Sequence, residues 1–247
     1  DECIARIDRR AVAGRAVLLK GAREYRFEKL AHALARKSHT TVLEVDLDAM
    51  THNLNYFRSQ LRPGVRLVAM VKAASYGAGD FEVAQLLQHQ GVDYLAVAFA
   101  DEGVLLRERG ITMPVVVLNA DADSFDAMAA NRLEPEIYSL RSLHEFAAAV
   151  ERYGEQRYPI HVKLDTGMHR LGFVEEELPA LLDALARCGR TVRVASVFAH
   201  LCTSDDPAQD DFTRLQIARF DRMSSRIAEA LPYPCLLYTS DAADERS

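Results

Sequence analysis

The sequence predicts an α/β fold built on a parallel sheet. Three observations carry that expectation. Short apolar runs recur at residues 65–71, 92–99, 114–118, 158–164 and 192–199, with a weaker one at 133–138. Segments of helical periodicity with recognisable ends lie between them. Strands that alternate with helices at this spacing form βαβ units, whose crossovers make the sheet parallel. Six such strands suit a doubly wound sheet. They suit equally a (β/α)8 barrel cut off after its sixth strand, and periodicity leaves both open.

The elements follow in order. Residues 1–40 are basic and stand apart from the rest. Within them Glu24–Lys37 reads as an amphipathic helix, with Tyr25, Phe27, Leu30, Ala31 and Leu34 near helical spacing. Ser38-His39-Thr40-Thr41 reads as a linker. Val42–Leu47 alternates as a strand does, and Asp48 is placed to cap a helix reaching Leu61, which Pro63-Gly64 stops. Asp80 caps a helix that stops before Gly91, and Asp101 caps one that stops at Gly110. Ser142 and Glu145 form a capping box ahead of Phe146 and Val150. Glu175–Arg187 carries Pro179 in its early turns and ends at Cys188-Gly189. Asp211–Leu231 is a long helix with Phe212, Leu215, Phe220, Met223 and Ile227 on or near one face. A seventh strand is due near 234–240, but Leu236–Ser247 breaks the pattern. That tail resembles translated adapter sequence left at the ends of assembled reading frames, and it is given no structural or functional weight.

Composition narrows the function. A chain of 247 residues holds one large domain, or a domain and a fragment, at roughly 100–200 residues each. Apolar residues at 49% and charged residues at 27% are those of an ordinary globular protein. Thirty-six acidic against thirty basic side chains leave a formal charge of −6, which argues against a nucleic-acid partner. Cys3, Cys188, Cys202 and Cys235 form no C-x-x-C pair, so neither a zinc site nor a disulfide framework is expected, and a reducing compartment fits. The longest apolar run, Tyr94–Ala100, is far short of a membrane span. The arginine-rich, acid-containing start does not read as a signal peptide. The chain opens with Asp rather than Met, so a fragment of a longer protein is expected.

Three strand ends carry candidate chemistry. Val71-Lys72-Ala73-Ala74-Ser75-Tyr76-Gly77-Ala78-Gly79 follows an apolar strand and enters a glycine-containing turn. Catalytic groups of parallel α/β folds gather at this end of the strands. Desolvation favours the neutral amine of a lysine, and a neutral amine can attack a carbonyl. The alternative is a solvated lysine beside glycines that only turn the chain. Lys163-Leu164-Asp165-Thr166-Gly167-Met168-His169-Arg170-Leu171-Gly172-Phe173 also follows an apolar strand. Arg170 could offer its planar fork to a carboxylate or phosphate, or could be a structural partner of Asp165. His200 ends the sixth strand, where a lone histidine is more often a hydrogen-bonded structural residue. A barrel would point Lys72, Arg170 and His200 into one mouth. Asp205-Asp206 and Asp210-Asp211 read as helix caps rather than metal ligands. His89 and His144 have no partner at ligand spacing, and no metal is expected.

These motifs together resemble the alanine racemase family. Val-Lys-Ala-x-x-Tyr-Gly-x-Gly at 71–79 is similar to its pyridoxal phosphate lysine motif, 163–173 to its second signature, and Val-Phe-Ala-His at 197–200 to its histidine strand. Residues 44–50 with Asn53, and 95–102, also fit, so the resemblance covers roughly 41–231. It implies an incomplete (β/α)8 barrel, residues 41–235, holding pyridoxal 5'-phosphate. In the family that barrel precedes a β domain and the enzyme works as a homodimer on alanine. Carried over, Lys72 forms the imine with the cofactor and handles the α-proton on the D-alanine side. Tyr76 hydrogen-bonds the cofactor phosphate, His200 packs against the pyridine ring, and Arg170 holds the substrate carboxylate and the cofactor's surroundings. Lys163 matches a lysine that is carbamylated in some members, where it steadies that arginine. Ala74 and Ala78 stand where the family often has Asn and His. The family's second base, a tyrosine contributed across the dimer, and its main phosphate loops lie beyond the matching residues. The chain alone is therefore expected to be a poor or inactive racemase.

Ala16–Leu30 is similar to the end of a Mur ligase, the enzyme that adds D-alanyl-D-alanine to the muramoyl tripeptide. A ligase–racemase fusion implies a cytoplasmic role in peptidoglycan-precursor synthesis, with residues 1–40 as ligase tail and linker. Two other readings compete: a pyridoxal phosphate barrel acting on another amino acid, as a broad racemase or decarboxylase, and a non-catalytic pyridoxal phosphate carrier.

Overall fold

The computed structural model describes residues 43–79 and 81–241. The expected helix at 24–37, the linker, residues 1–42 as a whole and the Asp80 cap lie outside them. Leu43–Asp46 is not a strand. The Asp46 carboxylate accepts the N–H groups of Asp48 and Ala49 and so caps α1 (Leu47–Gln60) two residues earlier than expected. A carboxylate that satisfies two helix-end donors wins over weak alternation in so short a run.

The order thereafter is β1 (Val68–Met70), a left-handed turn (Lys72–Tyr76), α2 (Glu82–His89), β2 (Tyr94–Val97), α3 (Ala100–Glu108) and β3 (Val115–Val117). Then come α4 (Phe125–Ala130), β4 (Glu134–Ile137), α5 (Leu140–Arg152), β5 (Tyr158–Leu164), α6 (Leu178–Arg187), β6 (Val192–Leu201), α7 (Asp210–Ala230) and β7 (Leu236–Asp241). The cap of α3 is Phe99, not Asp101, and α5 is capped by Ser139 with Ser142, one turn ahead of the expected pair. The largest difference is β7. Leu236–Asp241 pairs parallel with β6 from Ser196↔Leu236 to Leu201↔Asp241, so the sheet has seven strands rather than six. Leu-Leu-Tyr-Thr suits a pleated surface, and β6 offers it an unpaired edge.

All pairings are parallel, and the strands lie side by side in chain order, β1 to β7. A doubly wound sheet reverses its order at a switch point, whereas a barrel never does. The topology is therefore that of an incomplete barrel. Period-two alternation divides each strand between two faces. Leu95, Val97, Val115, Val117, Leu133, Ile137, Ile160, Val162 and Leu164 face the helices and form the main core with Phe125, Phe146, Leu181 and Ile227. Among the described residues no helix is long and apolar enough to cross a membrane.

Candidate active site

The opposite face of the sheet lines a cavity of about 1140 Å³. Val68, Met70 and Lys72 reach it from β1 and its exit, Tyr94, Ala96 and Ala98 from β2, and Glu136 from β4. Parity alone places Lys72 there. On β6 parity has to be reset. Val192 and Val194 face the helices, but so do Val197 and Ala199. The register with β5 slips between Ile160↔Val194 and His161↔Ser196, leaving Ala195 as the extra residue of a bulge. The bulge turns Ser196, Phe198 and His200 into the cavity. Without it, His200 would meet the helix layer.

Beyond β1 the backbone is unusual. Ala73, Ala74, Ser75 and Tyr76 have φ of 49°, 56°, 53° and 58°, a left-handed helical turn made without glycine. At about 1–2 kcal/mol per residue, four such residues cost roughly 4–8 kcal/mol and persist only where the surroundings enforce them. Several bonds do so. Val71 N–H donates to Ala96 O at 2.8 Å, Ser75 N–H to Val71 O at 3.1 Å, and Gly77 N–H to Ala73 O at 3.0 Å. Ala73 N–H donates to Glu102 Oε1 at 2.6 Å. The other Glu102 oxygen accepts from Ala98 and Phe99 N–H at 2.7 and 3.0 Å, at the start of α3. Lys72 is half-buried, with its Nζ 5.7 Å from the centre of the Tyr76 ring.

The loop after β5 doubles back on its own strand. Phe173 N–H donates to Lys163 O and Asp165 N–H to Phe173 O, both at 2.9 Å. Gly172 makes this possible: a Cβ there would sit 2.6 Å from Leu164 C and Asp165 N. The Asp165 carboxylate accepts from Gly167 and His169 N–H and meets His169 Nδ1 at 3.1 Å. Burial works to raise its pKa, and those bonds more than reverse it, so Asp165 is held below the usual carboxylate range. Asp165 is thus engaged by its own loop, and exposed Arg170 is carried to the cavity rim. From α7, fully buried Gln216 ties the loop to β6. Its Nε2 donates to Thr166 Oγ1 at 3.1 Å and His200 O at 3.0 Å, and its Oε1 accepts from Cys202 N–H at 3.2 Å.

The same face of the sheet also carries buried ionisable side chains in pairs. His161 meets Glu134 Oε2 at 2.8 Å and Ser196 Oγ at 2.6 Å. Lys163 Nζ lies 3.9 Å from Glu136 Oε2 and 4.3 Å from the centre of the Phe198 ring. Burial pushes the Glu136 carboxyl up to about 7, against the opposing pull of Lys163 and Arg170. Burial likewise holds the Lys163 amine below the usual lysine range, with Glu136 opposing and Arg170 assisting.

Lys72, Lys163, Arg170 and His200 therefore line one cavity at the carboxyl ends of the strands. Tyr76 does not line it; the residue is 52% exposed in the turn beside Lys72. Glu102, Glu136 and Gln216 escaped the sequence reading. A signal existed for Glu136: Glu134 and Glu136 share one face of a strand by period-two spacing. Glu102 and Gln216 act across 29 and up to 50 residues of chain, which no local pattern records.

Residues 45–243 match the family model described as alanine racemase, N-terminal domain. The chain is 36% identical over 204 residues to the alanine racemase of Synechocystis sp., covering 81% of this chain and 54% of that one. Its structure is similar to the alanine racemase of Clostridium difficile 630, with a TM-score of 0.76 at 29% identity, covering 84% of this chain and 57% of the other. It is also similar to the alanine racemase from Bacillus anthracis with bound L-Ala-P, with a TM-score of 0.73 at 29% identity over 85% and 54% of the two chains. The chain spans about half the length of the curated relatives it matches.

Proposed function

The chain belongs to the alanine racemase N-terminal domain family, and from that premise we propose that it is the barrel half of a pyridoxal phosphate-dependent alanine racemase. One observation carries the reading: an amine, a guanidinium and an imidazole from three separate strand exits line one cavity, through Lys72, Arg170 and His200. The donor set fits the cofactor. Lys72 offers a primary amine for its aldehyde, His200 a flat ring to pack on, and Arg170 and Lys163 positive charge for an anionic ligand. Tyr76, beside Lys72, is the proposed phosphate donor. When bound, the cofactor takes up the charge left when an α-proton departs.

The chain's own groups do the rest. Lys72 Nζ takes or returns the α-proton on one face of the substrate, for which it must be neutral. Arg170 binds the substrate carboxylate from the rim. Lys163 and Glu136 set the charge behind it. Racemisation needs a second proton-handling group on the opposite face, and the full-length homodimer is proposed to supply it. The resemblance of Ala16–Leu30 to a Mur ligase end supports a fusion that makes D-alanine for peptidoglycan precursors in the cytoplasm.

The test is covalent trapping. The chain is mixed with pyridoxal phosphate, reduced with borohydride and mapped by mass spectrometry. The label is expected on Lys72 and lost in Lys72→Ala. Equal labelling of that variant would assign the chemistry to another lysine.

A further inference from the structure

We propose that Glu102 is a positioning residue for Lys72, acting by tying the exit of β1 to the exit of β2. The inference rests on Lys72 being the reactive amine. A glutamate at the third position of a helix ordinarily reaches back to its own first amides, and Glu102 does so with one oxygen, to Ala98 and Phe99. A cap needs no more than that. The second oxygen takes the Ala73 N–H from the neighbouring strand exit, at 2.6 Å.

That N–H belongs to the peptide joining Lys72 to Ala73. Relative to the Lys72 Cα–Cβ bond its direction is set by ψ of Lys72, so the bond restrains one of the two backbone torsions that orient the Lys72 side chain. On the other side, Val71 N–H is fixed to Ala96 O by continuation of the sheet ladder. Lys72 is therefore bracketed by two bonds to the β2 segment, one through backbone and one through Glu102. The left-handed turn that follows begins at the residue Glu102 holds, with φ of 49° at Ala73. A carboxylate accepting three backbone N–H groups has its own rotamer fixed, which is what a positioning group requires.

Two variants separate positioning from capping. Glu102→Asp keeps a carboxylate for the α3 amides but is one methylene too short for Ala73. Glu102→Gln keeps the shape but turns an amide toward N–H donors. Amide hydrogen exchange of the cofactor-free chain is read at Ala73, and borohydride trapping of pyridoxal phosphate at Lys72. In both variants exchange at Ala73 is expected to rise and trapping to slow by about tenfold each, the size of one lost charge-assisted hydrogen bond. Circular dichroism should keep the wild-type sheet and helix signal. Unchanged exchange in both variants overturns the proposal, as does faster exchange with trapping at the wild-type rate. Unfolding of both variants also overturns it, because Glu102 would then serve the fold as a whole. Lys72→Ala runs alongside: if it is labelled like wild type, the reading of Lys72 fails, while exchange at Ala73 still decides whether the tie exists.

Discussion

Replacing Glu136 by glutamine removes a buried carboxyl whose ionisation works against the fold. Its pKa rises from an ordinary 4.5 to about 7 in the folded chain. Between those values the folded state binds more protons than the unfolded one, so stability falls as pH rises. The contribution is whole below pH 4.5 and gone once pH has passed 7. A difference of about 2.5 pH units, at about 1.36 kcal/mol each, comes to about 3 kcal/mol. Glutamine does not titrate. The stability of Glu136→Gln relative to wild type should therefore improve by about 3 kcal/mol between pH 4 and pH 8. Lys163, 3.9 Å away, loses its partner in the variant, which adds a cost to the variant's absolute stability. Its amine, already held low by burial, then falls further. A lysine with a lowered pKa gains stability as pH rises, so it widens the difference rather than cancelling it. Urea unfolding followed by circular dichroism, in half-unit pH steps, measures the gap. A variant-minus-wild-type difference that stays flat or falls as pH rises would refute the reasoning.

The other expectations concern the loop and its tie. Gly172→Ala brings a Cβ to 2.6 Å from backbone atoms of Leu164 and Asp165, at φ +129°. A loss of about 2–4 kcal/mol is expected from urea unfolding, since backbone cannot yield as a side chain can. Gln216→Leu leaves Cys202 N–H, His200 O and Thr166 Oγ1 without that partner. It should cost about 2–4 kcal/mol and speed amide exchange at Cys202, and unaltered exchange would show that another group fills the role.

What was legible follows from what is local. Five of the first six strands announce themselves because buried parallel strands are apolar runs, and β4, Glu-Pro-Glu-Ile, does so only weakly. Lys72, Arg170 and His200 stand out because each follows such a run. The barrel, however, needed the resemblance, since period says nothing about strand order. Asp46 took the cap expected of Asp48 because two acids within a turn compete and geometry chooses. β7 is hard to read because its sequence breaks the pattern, yet an open edge recruits a β-prone segment. The bulge at Ala195 could not be read either: Val194-Ala195-Ser196-Val197 looks like an ordinary stretch of strand. The inward turn of His200 depends on that one extra residue.

The two faces of the sheet divide labour in a way that matters for change over time. Cohesion comes from the outward side chains and the helices laid over them, where nearly all the large buried apolar groups lie. The inward apolar cluster is small, centred on Tyr94, Ala96 and Val116. The inner wall is thus close to a blank panel mounted on a frame that stands without it. Substituting charge or hydroxyl along Glu136, Lys163 and Ser196 alters the chemistry of the cavity while leaving the outer apolar packing in place. Such an architecture can explore new ligands by inward substitutions that leave the outer packing intact, provided that paired groups such as Lys163 and Glu136 change together.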